Sequence, residues 1–378
     1  MREYLLTLLV AATFTYLAVG LVRAGAIRAG ILAEIRDRDV HDVPIPRLGG
    51  VGILVGVLAS LAVAAKLPLL HRIFTSGDEI RGVLTGALVI CLVGVVDDVW
   101  GLDALTKLAG QVLAAGLMAL QGVQLFWLPW PGRLIVLDAT SGTLITVLAV
   151  VVTVNAVNFV DGLDGLAAGV VGIAAGAFFL FSYILAVQHD ADHAATPLLL
   201  SAVLVGVCAG FLVHNFNPAG IFMGDSGSML IGLLLASCSI TLTGRVDYVS
   251  LGALDVALPV WLPLLLPLAV LAVPVADLLL AVLRRTRARR SPFAPDKQHM
   301  HHRLLEIGHT QRRAVLILYG WTALIAYGAV GLAVLPAPVA VGLMALGLVA
   351  LVLLVEWPRL RPGGPAGPRP EATSGGLA

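Results

Sequence analysis

The sequence carries little charge. Only 12% of its 378 residues are Asp, Glu, Lys or Arg, whereas 59% are hydrophobic; a typical soluble domain has roughly 25% charged residues. This balance excludes an ordinary soluble globule and a disordered chain. The net charge of +1 also indicates that nucleic acid is not a partner, because nucleic-acid-binding domains usually show a strong basic excess.

Cysteine is scarce too. The three cysteines, Cys91, Cys208 and Cys238, lie far apart in separate apolar segments. This spacing excludes a disulfide framework or a cysteine zinc site as the basis of the fold. We expect three reduced, buried thiols.

Long apolar runs are abundant. Eleven windows are candidates for membrane helices, since about 20 apolar residues cross the hydrocarbon core. They lie at 3–23, 48–66, 81–96, 107–123, 143–158, 166–187, 197–214, 228–243, 257–283, 314–334 and 338–356. The sequence therefore predicts an all-α, polytopic integral membrane protein with about eleven transmembrane helices. We expect one multi-pass domain at 1–357 and, from its Pro- and Gly-rich composition, a disordered cytosolic tail at 358–378.

The basic residues indicate an orientation. With the N-terminus outside, the inner segments hold 18 Lys and Arg residues and the outer segments hold 6. The positive-inside rule favours this arrangement, which also puts the C-terminus in the cytosol.

Five polar clusters interrupt the apolar runs, and all five fall on the cytosolic face of the eleven-span arrangement. They are 41-HDVPIPRLGG-50, 94-GVVDDVWGL-102, 155-NAVNFVDGLDGLAAG-169, 214-HNFNPAGIFMGDSGS-228 and 292-PFAPDKQHMHHRLLEIG-308. One composite site at the inner membrane surface explains them more economically than five unrelated features. The rival from another class is a secondary transporter, which would use Asp277, an acid inside span 257–283.

Acidic and amide side chains dominate the middle clusters. Asp97 and Asp98 end an apolar helix, either as a pair that faces water or as a site for a divalent cation or phosphate chemistry. Asn158, Asp161 and Asp164 add further oxygens. The glycines among them favour a helix break that lines a cavity, and capping of the next helix is the alternative for Asp164.

The remaining candidates are an acid and several cations. Asp225 stands between glycines before an apolar helix, as an N-cap or as a metal ligand. Lys107 either extends to the membrane interface or binds a phosphate. His301, His302 and Arg303 suit a pyrophosphate better than a helix surface, while the arginines at 284–290 are typical of an anchor to anionic lipid.

Taken in order, the motifs PRLGG, VDDVWGL, NAVNFVDGLDGLAAG, FMGDSGS and HMHHRLL resemble the polyprenyl-phosphate N-acetylhexosamine-1-phosphate transferases, from His41 to Arg313. The resemblance is greatest to the WecA/TagO branch, which uses UDP-GlcNAc. The related peptidoglycan-precursor branch, MraY, usually has HHHFE where this chain has His301-His302-Arg303-Leu304. That departure favours UDP-GlcNAc over UDP-MurNAc-pentapeptide.

The resemblance assigns a role to each matching residue. It implies that Asp97 and Asp98 are the catalytic acidic pair and that Asp225 and Asn158 are metal ligands. It implies substrate contacts at Lys107, Asp161, Asp164, Phe222, His301, His302, Arg303 and Arg47. Among these, Lys107 would contact phosphate, Asp164 and Phe222 the uridine, and the histidines and Arg303 the sugar pyrophosphate.

The implied enzyme works at the cytosolic face of a bacterial inner membrane with Mg2+, or Mn2+ in its place, as cofactor. It would transfer GlcNAc-1-phosphate from UDP-GlcNAc to undecaprenyl or decaprenyl phosphate and release UMP, the first step of a cell-envelope glycan. The same transfer from UDP-MurNAc-pentapeptide or UDP-GalNAc stays an alternative. A homodimer, the lipid chain length and the division of roles between Asp97 and Asp98 stay open.

Overall fold

A computed structural model of the chain describes residues 1–30, 45–130, 133–188, 194–244, 286–287 and 309–360. The helices are α1 (Arg2–Ala29), α2 (Gly49–Ala64), α3 (His71–Thr75), α4 (Glu79–Trp100), α5 (Ala104–Leu120), α6 (Ala139–Val160), α7 (Leu166–Gln188), α8 (Ala195–Asn215), α9 (Gly224–Gly244), α10 (Gln311–Val334) and α11 (Ala337–Leu360). Two strands, β1 (Trp127–Trp130) and β2 (Arg133–Val136), form an antiparallel pair between α5 and α6.

Eight of these helices are long and apolar enough to cross a membrane, and α2 and α5 are shorter apolar helices. The all-α, polytopic fold predicted from the sequence is thereby confirmed. Each predicted span matches a helix except 257–283, which lies outside the described residues together with Asp277. The last helix, α11, continues to Leu360, past the predicted boundary at 357.

Local sequence explains where several helices begin and end. Asp103 and Asp138 are the N-caps of α5 and α6, and each carboxylate accepts two backbone N–H bonds from the first turn. At the other end of α6, the chain leaves the helix after Val160, and Gly165 has a φ of 78°. The helix break predicted at these glycines is therefore confirmed.

The core is centred on α9, whose membrane-spanning window is completely buried. It packs against α2, α4, α6, α7 and α8, while α1 covers α2 and α8 on one side. Among the described helices, the outermost is α11, which is almost fully exposed in the isolated chain. Cys91, Cys208 and Cys238 are free and buried, as expected.

The two ends of the bundle carry different residues and contacts. At one end, the Glu3 carboxylate accepts hydrogen bonds from the backbone N–H groups of Leu69 and Leu70, at 3.0 and 3.1 Å from Oε2. The opposite end holds the C-terminal end of α4 and the N-terminal ends of α5 and α9, which are joined by the contacts described below. The N-terminus and the polar motifs therefore lie at opposite ends of the bundle.

Candidate active site

Close backbone packing brings α4 against the start of α9. A Cβ atom at Gly94 would lie 2.3 Å from Cα of Ser226, and one at Gly50 would lie 2.2 Å from the backbone N of Gly227. Neither position has room for a side chain. These glycines let the first turn of α9 approach the last turns of α4 and the start of α2.

Lys107 joins two of the predicted acids. Its Nζ lies 2.6 Å from Oδ2 of Asp225 and 3.0 Å from Oδ2 of Asp97, and all three side chains are largely buried. Asp97 also accepts a 2.6 Å hydrogen bond at Oδ1 from the backbone N–H of Leu102, just past the end of α4. One ammonium group therefore balances two carboxylates that come from different helices.

Asp98 faces α9. Its Oδ1 accepts a hydrogen bond from the backbone N–H of Asp225 at 2.8 Å, and its Oδ2 accepts from the N–H and Oγ of Ser226 at 3.1 and 2.7 Å. Gly224 precedes these residues with a φ of 72°, and a Cβ there would lie 2.4 Å from the Asp98 carboxylate. The adjacent acids Asp97 and Asp98 thus have different partners.

Asn158, near the end of α6, completes the contacts of Asp225. Its Nδ2 donates to Oδ1 of Asp225 and, at 2.8 Å, to Oγ of Ser228. The family resemblance implies that Asn158 and Asp225 are both metal ligands. The structure brings them together through this amide hydrogen bond.

A second amide contact, which the sequence reasoning missed, lies beside the site. Asn155 donates from Nδ2 to Oε1 of Gln111 at 2.6 Å, and Gln111 lies one helical turn after Lys107. Gln111 is buried, with 1% of its surface exposed, and its Nε2 returns a 3.4 Å contact to Oδ1 of Asn155. A lone Gln at the i+4 position from Lys107 in an apolar helix was the signal that could have found it.

The PRLGG motif pairs with the segment that leads into α9. The backbone N–H of Phe222 donates to Pro46 O at 2.9 Å, and the N–H of Gly49 donates to Phe222 O at 3.1 Å. Arg47, within this motif, acts electrostatically on both Asp98 and Asp161. Two more of the predicted substrate residues, Arg47 and Phe222, therefore lie around the acidic cluster.

Asp161 follows the last residue of α6. Loss of hydration raises the pKa of its carboxyl to about 7, because burial disfavours the charged form. The negative charges of Asp225, Asp98 and Asp164, in that order, add to the effect, and the positive charge of Arg47 opposes it. Asp161 is thus one acid within a crowded group.

Asp164 is buried and binds the loop before α9. Its Oδ2 accepts hydrogen bonds from Nδ2 of Asn217 at 3.0 Å and from the backbone N–H of Ala219 at 3.1 Å. Asn217 also donates to Oε1 of Gln311 at 2.8 Å, and its carbonyl accepts a 2.8 Å bond from Nε of Arg312. Asn217 lies in the predicted cluster 214–228, where no role was assigned to it, whereas Gln311 and Arg312 lie outside all five predicted clusters.

The fifth predicted cluster, 292–308, lies outside the described residues. His301, His302 and Arg303, with the basic run at 284–290 apart from residues 286–287, lie outside the described residues. The described residues of the other four clusters, which in the first cluster begin at 45, meet at one end of the bundle.

The donor set suits a divalent cation. The Asp97 and Asp225 carboxylates share one cationic partner, the Lys107 ammonium, which lies 3.0 Å from Asp97 and 2.6 Å from Asp225. Mg2+ typically takes one or two protein carboxylates plus substrate phosphates. Within the described ranges, no group of three or more His, Cys, Asp or Glu side chains forms a fuller metal site.

Fold and site define a multi-pass helical membrane protein with an acidic, lysine-bridged polar centre at one end of the bundle. The sequence signature of glycosyl transferase family 4 matches residues 80–243, which run from α4 through α9. This range contains Asp97, Asp98, Lys107, Asn158 and Asp225.

Whole-chain relatives extend this match. A decaprenyl-phosphate N-acetylglucosaminephosphotransferase of Mycobacterium tuberculosis is 47% identical over 333 residues, which covers 87% of this chain and 82% of that protein. A probable undecaprenyl-phosphate N-acetylglucosaminyl 1-phosphate transferase of Bacillus subtilis is 32% identical over 301 residues, 79% of this chain and 76% of that protein. A phospho-N-acetylmuramoyl-pentapeptide-transferase of Desulforudis audaxviator is 31% identical over 322 residues, which covers 78% of this chain and 86% of that protein. The chain belongs to glycosyl transferase family 4, which confirms the resemblance found in its motifs.

Proposed function

We propose that this protein transfers GlcNAc-1-phosphate from UDP-GlcNAc to a polyprenyl phosphate and releases UMP. The observation that carries the proposal is the Asp97–Lys107–Asp225 cluster. The chain that contains it is 47% identical to the decaprenyl-phosphate N-acetylglucosaminephosphotransferase of Mycobacterium tuberculosis. The product is polyprenyl-pyrophosphoryl-GlcNAc. Decaprenyl phosphate is the acceptor that the mycobacterial relatives' names favour.

The reaction joins an oxygen of the lipid phosphate to the β-phosphorus of the nucleotide sugar, and the bond from that phosphorus to the UMP oxygen breaks. A phosphate monoester has a second pKa near 6, so the lipid phosphate is largely dianionic at neutral pH. It therefore needs little help from a general base. Charge neutralisation and alignment are the larger requirements of such a transfer.

The residues of the site meet those requirements. Lys107 supplies positive charge next to Asp97 and Asp225, and its ammonium group lies within hydrogen-bonding distance of both carboxylates. Asn158 fixes the Asp225 carboxylate by donating to Oδ1, and Ser228 fixes Asn158 by accepting its other amide bond. The carboxylates are thereby held in place before a substrate arrives.

Asp225 and Asn158 would hold Mg2+, and Asp97 would lie next to them on the other side of Lys107. When bound there, the cation supplies positive charge for the pyrophosphate. Asp164 and Phe222 would contact the uridine, and Asp164 is held for this by Asn217 and the Ala219 N–H. The proposal keeps Arg47, Asp161, His301, His302 and Arg303 as substrate contacts.

The membrane side of the site follows from its substrates. Nucleotide sugars are cytosolic, so the end of the bundle that carries Lys107 would face the cytosol. The N-terminus, at the opposite end, would then be outside the membrane, in agreement with the distribution of basic residues.

The test measures UMP release by the purified protein with Mg2+ and decaprenyl phosphate. UDP-GlcNAc, UDP-GalNAc and UDP-MurNAc-pentapeptide are compared as donors, each with and without the lipid phosphate. We expect UMP only from UDP-GlcNAc, only with the lipid, and none in the presence of EDTA. Lipid-dependent release from another donor would replace the sugar in the proposal, and absence of release from folded protein with every donor would refute the proposal.

A further inference from the structure

We propose that Asp98 is a positioning residue: it caps α9 from the end of α4 and thereby sets the place of Asp225, whereas Asp97 is the member of the acidic pair that belongs to the reacting centre. This inference rests on the proposed function. It divides between two residues the role that the resemblance assigns to them jointly.

The hydrogen bonds of Asp98 have the pattern of a helix cap. The first turn of a helix has backbone N–H groups without partners inside the helix, and a carboxylate is favoured there by both hydrogen bonding and the helix dipole. Asp98 accepts from two consecutive N–H groups of that first turn, those of Asp225 and Ser226. The Ser226 hydroxyl adds a third bond to Oδ2.

These three bonds engage both oxygens of Asp98. Asp98 is therefore held by the first turn of α9, and each of its oxygens already has a partner there. Asp97 differs, because Lys107 binds it together with Asp225. The contacts alone therefore distinguish the two neighbouring acids.

The cap acts on Asp225 directly. The N–H that bonds Oδ1 of Asp98 belongs to Asp225 itself, so the cap fixes the backbone from which that carboxylate extends. Gly224 and Gly94 reinforce this geometry, since neither leaves room for a Cβ between α4 and α9. A small change at Asp98 is transmitted to Asp225 without any contact to substrate.

The experiment compares Asp98→Asn and Ser226→Ala with the unchanged protein in detergent. Asp98→Asn keeps one oxygen acceptor and loses the other, and Ser226→Ala removes only the hydroxyl bond. Ser201→Ala is the matched control, because Ser201 is a buried serine in α8 whose hydroxyl donates within its own helix, to Leu198 O at 3.0 Å. Hydrogen–deuterium exchange across 223–230, Mn2+ affinity by electron paramagnetic resonance, and turnover are measured for each.

We expect faster exchange in the first turn of α9 and an Mn2+ Kd raised roughly 10-fold or more in Asp98→Asn, the size usual for residues that support a metal ligand. Excess Mn2+ should restore part of its turnover. Ser226→Ala should show smaller changes in the same direction, and Ser201→Ala should match the unchanged protein.

Unchanged exchange at the start of α9 in Asp98→Asn would overturn the inference, whether or not metal binds. Loss of turnover with unaltered Mn2+ affinity would also overturn it, because Asp98 would then act in the chemical step. If the unchanged protein binds no Mn2+, the metal in the proposed function is wrong, and the exchange measurement still decides the role of Asp98. Should Asp98→Asn fail to fold, Ser226→Ala provides the same exchange test.

Discussion

Lys107 is the residue on which the charge balance of the site depends. Its ammonium group lies within 3.0 Å of one carboxylate oxygen of Asp97 and one of Asp225. Side chains so far removed from water interact more strongly than a surface pair, because solvent screens them less. Arg81 and Asp78, an exposed pair at the opposite end of the bundle, show the contrast, with side chains 74% and 64% exposed.

Replacing Lys107 by Met should therefore abolish most activity. The change leaves two adjacent carboxylates without their shared cation and removes a charge that would face the pyrophosphate. We expect turnover to fall about 10²-fold or more, the size typical for loss of one preorganised electrostatic contact. Arg81→Met, which breaks a 2.7 Å ion pair at the surface, is the control and should keep full UMP release. Equal effects of both substitutions would show that charge at Lys107 has no special role.

Asp161 should make the stability of the metal-free protein depend on pH. Its pKa is raised to about 7, above the value near 3.9 of an unfolded chain. A carboxyl with a raised pKa favours the folded state most below pH 4, and that contribution is lost as the pH rises through 7. In EDTA, Tm should fall between pH 5 and pH 8, and Asp161→Asn should flatten this decline. An unaltered pH profile in Asp161→Asn would assign the decline to other groups.

At the scale of elements, the contact between α4 and α9 determines whether the site forms. Gly94 faces the backbone of Ser226, not a flexible side chain, so the neighbour cannot move aside cheaply. In α5, Gly116 has no atom within 4 Å of where its Cβ would be. The two glycines lie in apolar helices of the same bundle but differ in the space around them.

Gly94→Ala should destabilise the protein by about 1–3 kcal/mol, as overpacking of a tight core does, and should lower turnover by displacing Asp225. Gly116→Ala should be neutral or slightly stabilising, since Ala is the better helix former. Thermal unfolding in detergent and UMP release test both variants. A Gly94→Ala protein with unchanged Tm would mean that α4 and α9 have room to separate.

Local sequence patterns predicted most of the helices, but they could not predict contacts between residues that are far apart in the sequence. Hydropathy predicted every described helix except the five-residue α3, because each of the others needs only its own apolar residues. It missed β1 and β2, whose four-residue lengths are too short for a period to show. Nothing near Asp98 in the sequence shows that its hydrogen-bond partners are 127 and 128 residues away, so the family resemblance could assign Asp97 and Asp98 only a joint role.

At the scale of the whole molecule, the bundle separates its N-terminus from its site. Glu3 binds the turn before α3 at one end, and Asp97 contacts Lys107 at the other. The start of α10 lies at the site end, because Arg312 donates to Asn217 O. His309, just before α10, contacts Val355 O, so the end of α11 lies at the site end too. In the proposed orientation, the site, the start of α10 and the end of α11 all lie on the cytosolic side of the membrane.

Cysteine labelling of cells would test that orientation. The three native cysteines are buried, so a new exposed cysteine should dominate the reaction with a membrane-impermeant maleimide. Ser76→Cys, at the end of α3, should react in intact cells. Ala104→Cys, at the start of α5 beside the site, should react only after permeabilisation. The reverse labelling pattern would show that the protein has the opposite orientation in the membrane. It would contradict a site that takes its nucleotide-sugar donor from the cytosol.

The helix that carries Asp225 is also the most enclosed helix among the described elements, with five neighbours around it. The start of a helix usually frays more easily than its middle, but here the first turn is enclosed as well, by Asp98 on one side and the start of α2 on another. Catalytic competence and global folding should consequently be lost as one cooperative event. Inactivation by heat should then coincide with melting of the bundle rather than precede it.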